Sequence, residues 1–285
     1  MNARRAVFSL MVLVLSVAAL GGCNAATGGE RFAFEALAAG RAEAGQSFVN
    51  ERGWTVSLRR AELSIGPLYL NAAAPLRAAS GPTWWSSLVP SAYAAGEDHL
   101  QSGRVLGEVL GRVTLDALSP SLRPFSELGS ATTEQVRTAD VWLYPPPGVS
   151  AEATKNVPPS LSVAGLAQRG DERVLFRGDL ILNDSWLPEA LPGSRASRTV
   201  MSLRQVRGIA ASLLPSAGGH LEVFVDVRSF FRGADFGSLT TNKRDADGTY
   251  VLSQSLGGTD QVMNNLYQGL RSVGGVYDVR WSNQN

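Results

Sequence analysis

The sequence predicts a mostly β fold, an antiparallel β-sandwich with few short helices, and three observations carry that expectation. Short runs alternate apolar and polar residues at the period of a strand. Turn-forming clusters separate them, among them Pro145-Pro146-Pro147-Gly148, Pro158-Pro159, Asn183-Asp184, Gly218-Gly219 and Asp247-Gly248. Amphipathic segments with helical spacing are scarce, which favours a sandwich over an α/β arrangement.

Taken in order, residues 1–22 carry Arg4 and Arg5 followed by an uncharged apolar stretch from Ala6 to Leu20. That is the pattern of an export leader, and the stretch is short for a mature membrane span. It ends in Leu20-Gly21-Gly22-Cys23, which resembles the lipobox of bacterial lipoproteins. The resemblance implies that the Cys23 thiol receives a diacylglycerol, that cleavage precedes it, and that the new amine is acylated. The alternative is a soluble secreted protein in which Cys23 is incidental. Residues 23–30 then read as the lipidated cysteine and a short polar tether, and residues 31–285 as a single β-rich domain. Several acyl chains would anchor the protein stably to a membrane. Asn24 after the cysteine implies outer-membrane delivery, facing the periplasm, by the enteric sorting pattern.

Within the domain, Trp54, Val56 and Leu58 alternate with Thr55, Ser57 and Arg59. Leu63 to Leu70 is a second apolar run, and Gly66-Pro67 inside it points to an edge strand or a bulge. Val113 to Leu118, Val141 to Tyr144 and Val174 to Leu182 follow, the last placing Val174, Phe176, Gly178, Leu180 and Leu182 on one face. Leu221, Val223, Val225 and Val227 alternate with Glu222, Phe224 and Asp226, and Tyr250 to Leu252 and Val276 to Trp281 close the series. Met263 to Val273 is the clearest helix, with Leu266, Tyr267 and Leu270 at helical spacing and Gly274-Gly275 to stop it. Thr133 to Thr138 reads as a further helical turn. Gly103, Gly107 and Gly111 recur every four residues; on a helix they would form a small-residue stripe for local packing, since Arg104, Glu108 and Arg112 exclude a lipid-buried span.

Residues 72–103 break the strand rhythm. The segment is rich in Ala, Ser and Pro, contains Trp84-Trp85 and Tyr93, and reaches Glu97-Asp98-His99. About thirty residues exceed the usual connection length, and such loops are commonly functional. Trp84, Trp85 and Tyr93 form either a patch that meets a partner or membrane, or a roof over the core. Glu97, Asp98, His99 and Glu108 offer three carboxylates and an imidazole to a divalent ion such as copper, zinc or manganese, though no spacing matches a strong zinc pattern. Asn242, Asp245 and Asp247-Gly248 have calcium-loop residues, but an Asp-Gly hairpin turn explains them equally.

Composition narrows the function. Twenty-six Lys and Arg against 25 Asp and Glu give a formal charge of +1; removing Arg4 and Arg5 with the leader makes it −1. Nucleic acid is therefore not the expected partner. The single cysteine permits no intrachain disulfide, and only His99 and His220 supply imidazole. No Gly-x-Ser-x-Gly elbow, P-loop or Gly-x-Gly-x-x-Gly segment occurs. The expected role is non-catalytic: binding a protein, envelope polymer or small ligand through residues 72–103. A periplasmic metal-binding protein is the alternative, and an envelope hydrolase ranks below both.

The runs Gly53 to Leu58, Ala61 to Leu70, Gln268 to Arg271 and Gly275 to Tyr277 look like uncharacterised lipoproteins of GC-rich Gram-negative bacteria. More remotely, Phe224-Val225-Asp226-Val227-Arg228 with Phe231, and a helix start at Asn264-Asn265, is similar to the MbnP-like copper-associated β-sandwich proteins of the periplasm. That likeness implies a β-sandwich and copper as the metal. With two histidines, the chain departs from a histidine-rich copper binder.

Overall fold

The long run from Thr55 to Asn71 organises everything else. In the computed structural model, which describes residues 29–73, 104–149, 157–182, 203–241, 244–252 and 260–283, this run is one 17-residue strand, β3. The other strands are β1 (Arg31–Gly40), β2 (Phe48–Val49), β4 (Val105–Val109), β5 (Val113–Asp116), β6 (Arg123–Pro124) and β7 (Gly129–Thr132). They continue as β8 (Val136–Leu143), β9 (Leu161–Arg169), β10 (Glu172–Leu180), β11 (Gln205–Leu213), β12 (Gly219–Val225), β13 (Tyr250–Val251) and β14 (Tyr277–Asn283). One α-helix, α1 (Gln261–Leu270), and two 3₁₀ helices, Val227–Phe231 and Phe236–Thr241, complete the described elements. With 51% of residues in strands, the fold is mostly β.

The pairings link all 14 strands into one mixed sheet rather than a strictly antiparallel sandwich. Most ladders are antiparallel, but β1 runs parallel to β12 and β10 parallel to β13. β3 takes β9 and then β8 along one edge, and β2, β5 and β4 along the other. From β4 the ladder passes through β7 and β1 to β12 and β14, and β14 comes to lie within 8 Å of β11, itself the partner of β8. The sheet thus curls around its own apolar face.

β3 is a central strand, so Pro67 does not mark an edge; the bulge alternative holds. Pairing with β8 jumps from Ile65↔Leu143 to Leu68↔Val141, and the missing proline N–H falls in that gap. Gly66 has φ +117°, and a Cβ there would sit 2.4 Å from the Gly111 carbonyl oxygen; only glycine allows both the dihedral and the approach.

Alternation reads true for the strands with a clean apolar face. Val174, Phe176 and Leu180 are buried on one side of β10, with Leu182 buried just beyond its end, and Leu221, Val223 and Val225 on one side of β12. Two local expectations fail. Val136 to Thr138 begins β8 and is no helical turn, because pairing with β3 and β11 on both edges outweighs local preference. Gly107 lies in strand β4 and not on a helix; its Cα packs where a Cβ would stand 2.9 Å from the Ala131 Cβ. The packing role of that glycine survives the change of element, while Gly103 lies outside the described residues.

α1 begins where the Asp260 carboxylate accepts a hydrogen bond from the Met263 N–H at 2.9 Å, and Asp260 is 1% exposed. It buries Val262, Met263, Leu266, Tyr267 and Leu270 and ends before the Gly274-Gly275 pair, where the Arg271 N–H bonds back to the Gly269 and Tyr267 carbonyls.

Asp226 sets the first 3₁₀ helix. Its carboxylate accepts from the Arg228 N–H (3.1 Å) and holds the Arg228 guanidinium in a fork, Nε and Nη2 both at 2.8 Å. Burial works to raise the Asp226 carboxyl, but the Arg228 hydrogen bonds and charge, with Arg41 beyond, hold it below the usual carboxylate range. A folded-state pKa below the unfolded one stabilises the fold above about pH 4 and loses that contribution as pH falls toward the lowered value. Asp226→Asn is therefore expected to destabilise the protein at pH 7 by roughly 1–3 kcal/mol, with the gap to wild type shrinking by pH 3. Urea midpoints at the two pH values check it; a gap that widens on acidification contradicts the assignment.

Candidate functional site: the polar face at the roots of residues 72–103

The segment singled out by the sequence connects the end of β3 to the start of β4, where the Ala72 N–H donates to the Arg104 carbonyl at 3.0 Å. Here β3 has two unlike faces. Leu68 and Leu70, fully buried, point into the core. Tyr69 and Asn71 point the other way, as strand alternation requires.

Register fixes what they meet. Tyr69 is level with Glu108 of β4 and Asp140 of β8, and Glu108 is level with Ser130 of β7. Directly opposed side chains share a face about 5 Å apart, so Ser130, Glu108, Tyr69 and Asp140 form a polar row across four adjacent strands. In the next row Asn71 stands opposite Thr138. Trp142, two residues beyond Asp140, extends the face, and its ring lies 6.0 Å from that of Tyr144. Tyr144 is flanked by the Arg112 and Arg204 guanidiniums at 4.3 and 5.1 Å. Arg112 also donates to the Val149 carbonyl and Arg204 to that of Leu182.

Some of these polar groups are accounted for. Asp140 accepts from the Gly208 N–H at 2.8 Å, beside the bulge in β11, and the Thr138 hydroxyl donates to the Ala73 carbonyl at 3.1 Å. Others are not. Asn71 is 0% exposed, yet among the described residues neither its Oδ1 nor its Nδ2 has a hydrogen-bond partner, and the buried Trp142 Nε1 also lacks one. Burial raises the Tyr69 phenol above its ordinary value, with the Glu108 carboxylate and then Tyr144 adding to the shift. Tyr69 therefore remains a protonated donor. The face offers donors from Tyr69, Asn71 and Trp142, acceptors from Asn71 and Glu108, and aromatic surface beside them. Its chemistry is hydrogen bonding in both directions.

Of the four proposed metal ligands, Glu108 lies on this face, half-buried in β4. Glu97, Asp98 and His99 lie outside the described residues, as do Trp84, Trp85, Tyr93 and Cys23. Among the described residues no three His, Cys, Asp or Glu side chains gather as a metal-holding group, and no helix is long and apolar enough to cross a membrane. His220 lies in β12, 3.2 Å from the Glu222 carboxylate. The Asp245 carboxylate accepts from the Asp247 and Thr249 N–H groups at 3.0 and 2.9 Å and pairs with Arg177, so it shapes a turn.

Sequence reasoning missed Tyr69, Asn71, Asp140 and Trp142. The available signal was Asn71 itself, a carboxamide closing an apolar alternating run just before the longest irregular segment. No protein-family model matches the chain, and no curated protein or solved structure matches it.

Proposed function

We propose that this chain is an exported lipoprotein, anchored through Cys23 and facing the periplasm, with a non-catalytic binding role exercised at the face around Tyr69, Asn71 and Glu108. The Leu20-Gly21-Gly22-Cys23 junction supports the anchor. The near-balanced charge argues against nucleic acid as partner. The binding role rests on Asn71: a wholly buried carboxamide without partners among the described residues costs the fold roughly 1–3 kcal/mol, and such a cost is retained where a function uses the group. Residues 72–103 share in the proposal, because Asn71 and Glu108 stand at their two roots.

The test needs no ligand. Asn71→Leu keeps the volume and removes the orphaned groups, so it is expected to raise stability by roughly 1–3 kcal/mol in urea unfolding. A drop in stability would mean that Asn71 serves the fold, and the binding reading would fail. The anchor is tested separately by palmitate labelling in cells, which Cys23→Ser should abolish.

Metal binding is the second reading. It is favoured by Glu108 sitting beside the Tyr69 phenol on the strand that directly follows Glu97, Asp98 and His99. Elemental analysis of the purified chain after incubation with copper, zinc or calcium decides it: near-zero stoichiometry removes the reading, and one ion lost in His99→Ala supports it.

A further inference from the structure

Away from the sheet face just described, β2, the first 3₁₀ helix and α1 enclose a surface groove. Two adjoining hollows of about 280 Å³ each meet over Glu51, Ser229 and Arg232. One continues toward Asn265, Gln268 and Ser272, the other toward Phe48, Val49 and Arg228. We infer that this groove binds an uncharged saccharide chain.

Charge is the first argument. The cationic groups in the lining are already matched: Arg228 is forked onto Asp226 at 2.8 Å, and Arg232 faces Glu51 at 3.8 Å. A polyanion would find little unmatched positive charge, and a polycation little unmatched negative charge. What remains is neutral. Among the described residues Ser229, Gln268 and Ser272 spend no side-chain group on another protein group, and Gln268 is exposed on α1.

The second argument concerns backbone. Extended peptides are usually captured along an open strand edge, and β2 is only two residues long, Phe48–Val49, too short to template a strand. Just past it the Glu51 N–H already donates to the Arg232 carbonyl at 3.0 Å. The walls therefore present amides and hydroxyls from side chains, the donors and acceptors that vicinal hydroxyls match. Third, one end is apolar, with Val49 69% exposed beside the half-buried Phe48. That suits the C–H face of a sugar ring or an N-acetyl methyl group. Two hollows that share a wall fit a chain of linked rings better than one compact molecule, each being near the lower size of ordinary ligand sites.

The floor is rigid by construction. At Gly269 a Cβ would lie 2.6 Å from the Phe230 Cα and 2.7 Å from its carbonyl oxygen, so α1 seats directly on the 3₁₀ backbone. The Gln261 side chain pins the next loop, accepting from the Asp235 N–H at 2.8 Å and donating to the Gly233 carbonyl at 3.1 Å.

The experiment is isothermal titration of the full-length chain in mild detergent with a neutral N-acetylglucosamine pentamer, and with an oligogalacturonate as anionic counterpart. Saturable binding of the neutral pentamer is expected, weakened on the order of tenfold in a Gln268→Ala, Ser272→Ala double variant, the loss of one or two hydrogen bonds. Both substitutions fall outside the core, and far-UV circular dichroism checks that the fold is kept. The sheet-face reading is tested by the stability of Asn71→Leu without any ligand, so failure of pentamer binding here is distinct from failure of that reading. Absence of saturable binding, equal binding by the double variant, or preference for the anionic oligomer would each overturn the inference.

Discussion

Replacing Trp54 with alanine is expected to destabilise the fold by roughly 3–5 kcal/mol, at the upper end for a single core truncation. Trp54 is fully buried at the entry to β3, and several structures converge on it. Its ring meets Phe236 edge-on at 5.6 Å, within a cluster that continues through Phe176 and Phe231. The Arg169 guanidinium lies 4.4 Å above the ring, and the indole N–H donates to the Asp235 carboxylate at 3.0 Å. That hydrogen bond is the foremost reason the Asp235 carboxyl sits below its usual range. Alanine would open a cavity no neighbour can fill, since the surrounding groups belong to β9, β10 and the 3₁₀ segments. Trp54→Phe separates the contributions: it keeps an aromatic ring and loses the Asp235 bond, and should cost well under half as much. Urea unfolding measures both variants, and equal losses would show that the hydrogen bond, not the ring, dominates.

Trp54 was legible in the sequence, and its legibility marks the boundary of what patterning can reveal. It begins a run in which apolar residues alternate with polar ones, and the same signal located the buried faces of β10 and β12. The pattern works where one face of a strand meets the core and the other meets water. It fails for β1, whose Arg31 to Gly40 is alanine-rich and short of β-branched residues. That strand exists because β7 and β12 pair with it on either side, a long-range cause that no local window contains. It fails equally for β8, taken in part for a helical turn, and for the parallel pairings, since direction of pairing leaves no mark on periodicity. For the candidate site, the sequence pointed to the segment after β3 and to Glu108. It could not indicate that Glu108, Tyr69 and Asp140 share one row, because that depends on the register of three ladders. Asn71 was visible as a residue but not as a buried orphan, for burial is a property of the assembled sheet.

Asn50 shows the opposite case, a buried polar group whose every bond is made, and its replacement is the second large loss expected. Its Nδ2 donates to the Phe231 carbonyl at 3.1 Å and the Ala234 carbonyl at 2.7 Å. Its Oδ1 accepts from the Arg52 and Trp54 N–H groups, each at 3.0 Å. At 8% exposure, this one side chain ties the turn before β3 to the loop after the first 3₁₀ helix, and so holds both walls of the groove. Asn50→Ala strands the Ala234 carbonyl and two N–H groups, while the Phe231 carbonyl keeps the Ala234 N–H at 3.1 Å; at about 1–3 kcal/mol for each one left unpaired, with partial rehydration, the expected loss is roughly 3–5 kcal/mol. Asn50→Asp has the same shape but turns the two donors into a charged oxygen aimed at two carbonyls, so at pH 7 it should be at least as damaging. The introduced carboxylate would have its folded-state pKa raised, because protonation restores one donor and removes the charge. Its penalty is therefore largest above the folded pKa and eases as pH falls toward the ordinary carboxylate value. Urea midpoints for the aspartate variant should approach wild type on acidification, while those of Asn50→Ala should keep their distance. If both variants follow wild type in parallel across the pH range, the two donor bonds to Phe231 and Ala234 contribute little, and the walls of the groove are held by α1 and the aromatic cluster instead.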